Sequence, residues 1–252
     1  MKRLLRVGTV VFDCDSTLCA TEGIEELARM RGASVRDLTE AVMRGEVPME
    51  EVFSRRLAIV QPAQSDVETL KQIYIDKLVP DARETVRALL DEGIQVRIMS
   101  AGVRAAVEAV GAELGLSPRH VAGVDISFDA KGEYDDFDVD SPLARAFGKR
   151  DLLRVWRSET GGSFMMVGDG ATDLEAADAA DVFVAYAGVV ERPAIVAEAD
   201  VVIRSPSLAP VLPLALAGET PRRVRNRALF DKGLGLLEAE YRSYLPYARN
   251  VE

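Results

Sequence analysis

The stretch Val10-Val11-Phe12-Asp13-Cys14-Asp15-Ser16-Thr17 decides the fold, because it joins a short apolar run to two aspartates one residue apart. The apolar residues are typical of a buried strand, and a charged carboxylate inside such a strand would be costly. Both aspartates are therefore expected at or beyond the carboxyl end of the strand, where open α/β sheets bind ligands. Two carboxylates facing one crevice repel each other unless a cation or a shared proton intervenes. The pattern predicts a site for a divalent cation that prefers oxygen ligands.

The composition limits the classes of protein to which the chain can belong. Its 252 residues, 48% of them apolar, suffice for one large domain or for a core with a smaller companion. The net charge of -10 argues against nucleic acid or an anionic membrane as the main partner. Two cysteines and one histidine are too few for a Cys/His zinc site or a disulfide framework, which favours a reducing cytoplasm. Apolar stretches such as 208–217 are too short to span a membrane, so we expect a soluble, cytoplasmic protein.

Strand-like and helical runs alternate along most of the chain. We expect strands at 6–12, 94–99, 164–167, 181–185 and 199–203, and helices at 81–92, 103–114, 150–157 and 174–179. This alternation predicts an α/β fold with a Rossmann-like parallel sheet core and helices on both faces. Residues 121–128 and 132–137 are expected to form a hairpin.

The segment after the first strand has no strand pattern for roughly sixty residues. Short amphipathic helices are expected there at 24–30, 35–43 and 52–59, which suits a small helical cap above the aspartates. We therefore expect a core domain of residues 1–20 and 76–217, a helical cap domain of residues 21–75, and a helical C-terminal extension of residues 218–252.

The C-terminal extension has a character of its own. A basic cluster at 221–227 precedes Tyr241, Tyr244 and Tyr247, which recur every three residues. This spacing favours a surface helix that packs its tyrosines on the domain. Oligomerisation through the same segment, for example as a homodimer, is the functional alternative.

Four groups of polar residues fall at predicted strand ends. They are Asp13-Cys14-Asp15-Ser16-Thr17, Ser100-Ala101-Gly102 at the expected start of a helix, Lys149 at the amino end of the helix expected from Arg150, and Val167-Gly168-Asp169-Gly170-Ala171-Thr172-Asp173. Each group taken alone is common in proteins without a function attached to it. Their occurrence in order, each at the end of a strand, indicates one shared site in which a hydroxyl, free N–H groups and a lysine can meet a phosphate.

With these motifs, residues 6–205 resemble the haloacid dehalogenase-like phosphohydrolases, and among them the phosphoserine phosphatase family. Further matching segments are Glu22–Ala28, Val47-Pro48, Arg56–Pro62, Gly132–Tyr134 and Gly168–Ala176. The resemblance implies hydrolysis of O-phospho-L-serine to serine and phosphate, the last step of serine biosynthesis, with Mg²⁺ as the cofactor and a small phosphorylated amino acid as the partner.

The resemblance also implies a role for each catalytic group. Asp13 attacks phosphorus and forms an aspartyl-phosphate, while Asp15 protonates the leaving oxygen and later takes a proton from water. Asp13, the backbone carbonyl of Asp15 and Asp169 bind Mg²⁺, and Asp173 orients this set from the second shell of the metal. Lys149 stabilises charge on the transferred group. We expect neighbouring negative charges to raise the pKa of Asp15.

Substrate contacts follow from the same resemblance. Glu22 is expected to bind the ammonium of the substrate, and Arg56 its carboxylate. The remaining substrate positions that the resemblance implies are Met43, Ser100, Ala101, Gly102, Lys149 and Thr172.

The chain departs from the family pattern at three places, so other substrates and activities remain alternatives. Ala101 replaces a glycine, Arg44 replaces a glycine beside Met43, and Met49 replaces a phenylalanine. A capped phosphatase for another small phosphate ester, or a phosphotransferase that uses an alcohol such as homoserine, is therefore the alternative. A signalling receiver domain and an inactive interaction protein fit less well, because the chain has a large helical insert and a complete set of catalytic residue types.

Overall fold

A computed structural model describes residues 4–35, 38, 49–238 and 241. Its centre is a six-stranded sheet in which every neighbouring pair is parallel. In chain order the strands are β1 (Thr9–Phe12), β2 (Gln95–Val103), β3 (Val121–Val124), β4 (Ile126–Phe128), β5 (Tyr134–Phe137), β6 (Phe164–Gly168), β7 (Val182–Tyr186) and β8 (Val201–Ile203). The sheet order is β3-β2-β1-β6-β7-β8, and β4 and β5 form a separate antiparallel pair.

Helices flank the sheet and form the insert after β1. They are α1 (Gly23–Met30), α2 (Met49–Val60), α3 (Gln64–Asp76), α4 (Ala82–Asp91), α5 (Arg104–Glu113), α6 (Gly148–Thr160), α7 (Ala171–Ala176), α8 (Pro193–Glu198), α9 (Val211–Ala215) and α10 (Arg227–Leu236). In the part of the chain that the structure describes, no helix has the length and apolar character needed to cross a membrane.

Strand β1 lies at the centre of the sheet and is buried along its whole length. Val10 and Phe12 pack into one hydrophobic cluster, whereas Val11 packs into the other. Because successive side chains of a strand point to opposite faces, both faces of the sheet are covered. The predicted fold class, a parallel Rossmann-like sheet with helices on both faces, is confirmed.

The expected end of the second strand at residue 99 is wrong, because β2 continues to Val103. Met99 pairs with Ala122 and Val103 pairs with Val124, so three residues of β2 oppose a single residue of β3. Ser100-Ala101-Gly102 therefore lies in an irregular, bulged strand end and not in the first turn of a helix. A bulge of this kind depends on the partner strand and has no signal in the local sequence.

The predicted hairpin also needs correction. The first half of the expected strand at 121–128 is β3, which joins the main sheet, and only β4 pairs with β5. Gly123 permits this, since a Cβ there would lie 2.6 Å from the Cα of Arg104. Strand β3 therefore lies directly against the start of α5.

The insert contains a helix that the prediction missed. Helix α3 begins where Asp66 accepts a hydrogen bond from the N–H of Ala63 at 2.8 Å, and it buries Val67, Leu70 and Tyr74. That spacing places the three side chains on one face of a helix. The helices expected at 24–30 and 52–59 are present as α1 and α2, and most of the one expected at 35–43 lies outside the described residues.

The C-terminal segment is anchored on a buried carboxylate, Glu92, which is 3% exposed. Glu92 accepts hydrogen bonds from the N–H groups of Arg222 at 2.8 Å and Arg223 at 3.0 Å, and from the side-chain amide of Asn226 at 2.9 Å. Helix α10 then packs against α9. Tyr241 packs against the core, while Tyr244 and Tyr247 lie outside the described residues.

We predict that Glu92→Ala destabilises the protein by about 3 kcal/mol, because it leaves buried donors without an acceptor. Chemical denaturation measures this loss, and hydrogen exchange should rise first across residues 219–236. Glu68→Ala is the control, since it removes an exposed ion pair to Lys71 away from this segment and should cost less than about 1 kcal/mol. Equal losses in the two variants would contradict the anchoring role of Glu92.

Candidate active site

The catalytic-type residues meet at the carboxyl edge of the sheet, where β1 ends. The N–H of Asp13 donates to the carbonyl of Val167 at 2.9 Å, so the strand pairing continues to Asp13 itself. Its carboxylate emerges beyond the last core residue, Phe12, and is only 7% exposed. The cost of burying a charge predicted that Asp13 lies at the carboxyl end of the strand, and the structure confirms this position.

Three carboxylates and one ammonium share this edge. Oxygen atoms of Asp13, Asp169 and Asp173 lie within 4.8 Å of one another. The Nζ of Lys149 lies 2.8 Å from Oδ1 of Asp13 and 2.7 Å from Oδ1 of Asp173. On the other side, the Nε of Arg192 donates to Oδ2 of Asp169 at 2.9 Å.

The electrostatics of this group favour an additional cation. Burial raises the pKa of Asp13 well above its ordinary value, the charge of Asp173 raises it further, and Lys149 opposes both effects. Burial and Asp173 likewise raise the pKa of Asp169 to about 6. Burial disfavours the charge of Lys149, but Asp13 and Asp173 outweigh this and raise its pKa. Three crowded carboxylates suit a hard metal ion with oxygen ligands, so the residues fit a metal site.

Asp173 is held by two contacts that leave it fully buried. Its Oδ2 accepts the N–H of Gly170 at 2.9 Å, which caps the start of α7, while its Oδ1 accepts from Lys149. Gly168 makes room for this carboxylate, because a Cβ there would lie 2.3 Å from the Cγ of Asp173. A glycine is thus needed at position 168 to bring the end of β6 against the acid on α7.

Asp15 is enclosed by residues from the insert. Its Oδ1 accepts hydrogen bonds from the hydroxyl of Tyr74 at 2.5 Å and from the N–H of Gly23 at 2.7 Å. The hydroxyl of Ser100 lies 3.4 Å from its Oδ2. Burial raises the pKa of Asp15 to about 6, with a further contribution from the charge of Glu22. The raised pKa agrees in direction with the expectation, although burial is the larger cause.

The bulged end of β2 faces this acid. The N–H of Gly102 donates to the hydroxyl of Ser100 at 2.9 Å. A Cβ on Gly102 would lie 2.9 Å from Oδ2 of Asp15, so a glycine is needed for the close approach. Ala101 lies in the same bulge and Thr172 in the first turn of α7, both partly exposed.

Glu22 and Arg56 lie on the insert side of the site. The hydroxyl of Ser16 donates to Oε1 of Glu22 at 2.6 Å, and a guanidinium nitrogen of Arg192 lies 3.5 Å from the same oxygen. Burial lowers the pKa of Arg56, whereas the charges of Glu22 and Asp15 favour its protonated form. The structure thus brings opposite charges together beside Asp15. Met43 lies outside the described residues.

Arg192 and Tyr74 are not identified by the sequence analysis, which assigns no role to Thr17. Arg192 contacts both Asp169 and Glu22, Tyr74 contacts Asp15, and the hydroxyl of Thr17 donates to Oδ1 of Asp169 at 3.3 Å. Arg192 follows β7 by several residues, and this position near a strand end is the signal that could have identified it. The helix that carries Tyr74 was itself overlooked.

Fold and site together define the class of the protein. The family model of the haloacid dehalogenase-like hydrolases matches residues 7–181, and the chain belongs to this family. Within it, the chain is 36% identical over 194 residues to the phosphoserine phosphatase of Mus musculus, covering 76% of this chain and 86% of that protein. It is 38% identical over 203 residues to the chloroplastic phosphoserine phosphatase of Arabidopsis thaliana, covering 77% and 68% respectively.

The chain is also similar in structure to a solved phosphoserine phosphatase. The structure described as a phospho-aspartyl intermediate analogue of phosphoserine phosphatase superposes with a TM-score of 0.71 at 25% identity. The match covers 82% of this chain and 98% of that one. The family resemblance of the motifs is confirmed.

We predict that Asp15→Asn stabilises the metal-free protein at pH 8 by about 2 kcal/mol. The folded-state pKa of Asp15 is about 6 against an ordinary value of 3.8, so its ionisation in the folded protein costs stability. That cost is absent below pH 3.8, grows as the pH rises to about 6, and is complete above it. Urea denaturation of both proteins at pH 4 and pH 8 measures the difference. A gain of the same size at both pH values would contradict the assignment.

Proposed function

We propose that this chain is a magnesium-dependent phosphoserine phosphatase, which hydrolyses O-phospho-L-serine through a phosphate ester carried on Asp13. One observation carries the proposal: the buried Asp13 and Lys149 lie at the same sheet edge as the opposite charges of Glu22 and Arg56. The first pair suits a phosphoryl group, and the second suits the ammonium and carboxylate of an amino acid.

The first chemical step requires a nucleophile and an acid. An oxygen of the Asp13 carboxylate attacks phosphorus and forms an acyl-phosphate bond, while the bond from phosphorus to the serine oxygen breaks. Asp15 gives its proton to the departing oxygen, so serine leaves as a neutral alcohol. The raised pKa of Asp15, about 6, keeps a protonated fraction available near neutral pH.

The second step returns the enzyme to its starting state. Water attacks phosphorus, the acyl-phosphate bond breaks, and Asp13 is released as a carboxylate. The ionised Asp15 accepts the proton of the attacking water and is thereby protonated again. Phosphate leaves, and no group other than water is consumed.

Mg²⁺ would be bound by Asp13, the backbone carbonyl of Asp15 and Asp169, with Asp173 holding the second shell. When bound, it would neutralise charge on the phosphoryl oxygens and on the crowded carboxylates. Lys149, fixed between Asp13 and Asp173, holds one positive charge against the transferred group.

The phosphoryl oxygens would also be bound by residues of two strand ends. We assign the hydroxyl of Ser100 and the N–H of Gly102 to this role, with Ala101 lining the bulge between them. Thr172 on α7 would complete the binding site. The N–H of Gly102, which donates to the Ser100 hydroxyl in the structure, would exchange this acceptor for a phosphoryl oxygen. The strand and helix geometry fixes the positions of the donors before charge develops on the phosphoryl group.

The amino-acid head group would be bound from the insert. We assign Glu22 to the ammonium, Arg56 to the carboxylate and Met43 to a neighbouring contact, with residues 21–75 forming a cap over the sheet edge. The planar fork of an arginine matches a carboxylate, and the single charge of Glu22 matches an ammonium.

We predict that Glu22→Gln and Arg56→Ala lower kcat/KM for phosphoserine by about ten- to a hundredfold, because each removes a charged contact to the head group. A phosphate ester without an amino-acid group should be hydrolysed at nearly the wild-type rate. Arg55→Ala is the matched control, since Arg55 pairs with Glu51 on the exposed side of α2.

The same assay compares phosphoserine with phosphohomoserine and unrelated esters, with and without added alcohol acceptors. Hydrolysis of phosphoserine no faster than that of unrelated esters would refute the substrate assignment. Transfer of phosphate to an added alcohol, in place of its release, would identify the chain as a phosphotransferase.

We predict that Asp13→Asn abolishes turnover and that the covalent adduct forms on Asp13 alone. Rapid quenching with phosphoserine, followed by borohydride reduction, converts an aspartyl-phosphate to homoserine, which peptide mass spectrometry locates. Homoserine at any other aspartate would disprove the role of Asp13, whatever the substrate.

A further inference from the structure

We propose that Tyr74 is a positioning residue that orients the Asp15 carboxyl, so that Oδ2 is the oxygen that exchanges a proton with the substrate. The inference rests on the proposed function of Asp15 as the acid. It adds a residue from the insert to the catalytic arrangement and specifies which of the two carboxyl oxygens reacts.

Two donors converge on the other oxygen, Oδ1. The Tyr74 hydroxyl lies 2.5 Å from Oδ1, and the N–H of Gly23 lies 2.7 Å from it. Tyr74 is completely buried, so its hydroxyl has no bulk water to bind in place of the carboxyl. An oxygen that already accepts two hydrogen bonds is poorly placed to carry a transferable proton as well.

Packing keeps the tyrosine in this position. Gly23 begins α1, and a Cβ there would lie 2.0 Å from the Tyr74 hydroxyl and 2.9 Å from its ring carbon Cζ. The ring therefore occupies the space that any other residue at position 23 would fill. Helices α1 and α3 together form a fitted support for Oδ1.

Oδ2 faces the opposite way, toward the bulged end of β2. The Ser100 hydroxyl lies 3.4 Å from Oδ2, and a Cβ on Gly102 would lie 2.9 Å from it. Ser100 and Gly102 are the groups proposed above to bind the phosphoryl oxygens. Oδ2 is thus the oxygen that lies on the side of the scissile bond, and rotation of the carboxyl would break both contacts to Oδ1.

A buried tyrosine could instead serve packing alone, and the leaving group of the substrate separates the two roles. An alkyl phosphate expels a basic alkoxide that needs a proton, whereas an aryl phosphate such as p-nitrophenyl phosphate expels a stabilised phenolate that does not. kcat/KM reports steps up to formation of the covalent adduct. A misplaced acid therefore lowers kcat/KM for the alkyl ester selectively.

The experiment compares Tyr74→Phe with Tyr186→Phe. Tyr186 is also fully buried and donates to the carbonyl of Pro206 at 2.6 Å, so its variant removes an equivalent buried hydroxyl away from Asp15. We expect Tyr74→Phe to lower kcat/KM about ten- to a hundredfold for phosphoserine and equally for glycerol 2-phosphate, an alkyl ester without an amino-acid group, but less than about twofold for p-nitrophenyl phosphate. A loss on phosphoserine alone would indicate a disturbed head-group site and would overturn the proposal. Tyr186→Phe should leave the ratio of the alkyl to the aryl values unchanged.

Equal losses on alkyl and aryl esters, no loss on either, or the same selective loss in Tyr186→Phe would overturn the proposal. Gly23→Ala provides a second variant if Tyr74→Phe does not fold, since the added methyl displaces the ring. Because position 23 adjoins Glu22, its effect is measured on glycerol 2-phosphate against p-nitrophenyl phosphate, where head-group binding plays no part. If another alkyl phosphate proves to be the better substrate, it replaces phosphoserine in the comparison. A failure of the substrate assignment is thereby distinguished from a failure of the role of Tyr74.

Discussion

The ion pair of Lys149 with Asp13 and Asp173 is the interaction on which the rest of the site depends. An isolated buried ammonium or carboxylate is strongly disfavoured, and the removal of one partner would leave the others uncompensated. The distances of 2.7 and 2.8 Å show that the charges are paired directly. This pairing joins the end of β1, the start of α6 and the start of α7, so three separate parts of the chain reach their places together.

The pairing also explains the steric demands around it. Gly168 must lack a side chain because Asp173 occupies that space, and Gly102 must lack one because Asp15 approaches it. Even so, one lysine does not balance three carboxylates, and Asp169 is the one member of this trio that Arg192 contacts among the described residues. The remaining negative charge makes this sheet edge suitable for a metal ion and, with that ion, for a phosphoryl group.

Much of the core of the site follows from the sequence, because a charge cannot lie inside a buried parallel strand. That constraint alone locates Asp13 and Asp169 at one sheet edge. The bulge at Ser100–Gly102 could not be predicted, since it arises from pairing with a strand about twenty residues away. Tyr74 and Asp15 are 59 residues apart in the sequence. Their contact depends on how α3 packs beside the end of β1, which no local sequence pattern indicates. Helix α3 could have been predicted, because Val67, Leu70 and Tyr74 recur in the sequence at helical spacing.

The support of Asp15 has a consequence for the order of events in a catalytic cycle. The carboxyl belongs to the core sheet, whereas both donors to its Oδ1 belong to the helical insert. Any displacement of these helices from the sheet edge would therefore remove both hydrogen bonds that align the acid. The same helices thus enclose the sheet edge and align the acid. A phosphate ester bound at that edge without α1 and α3 in place would lack an aligned proton donor.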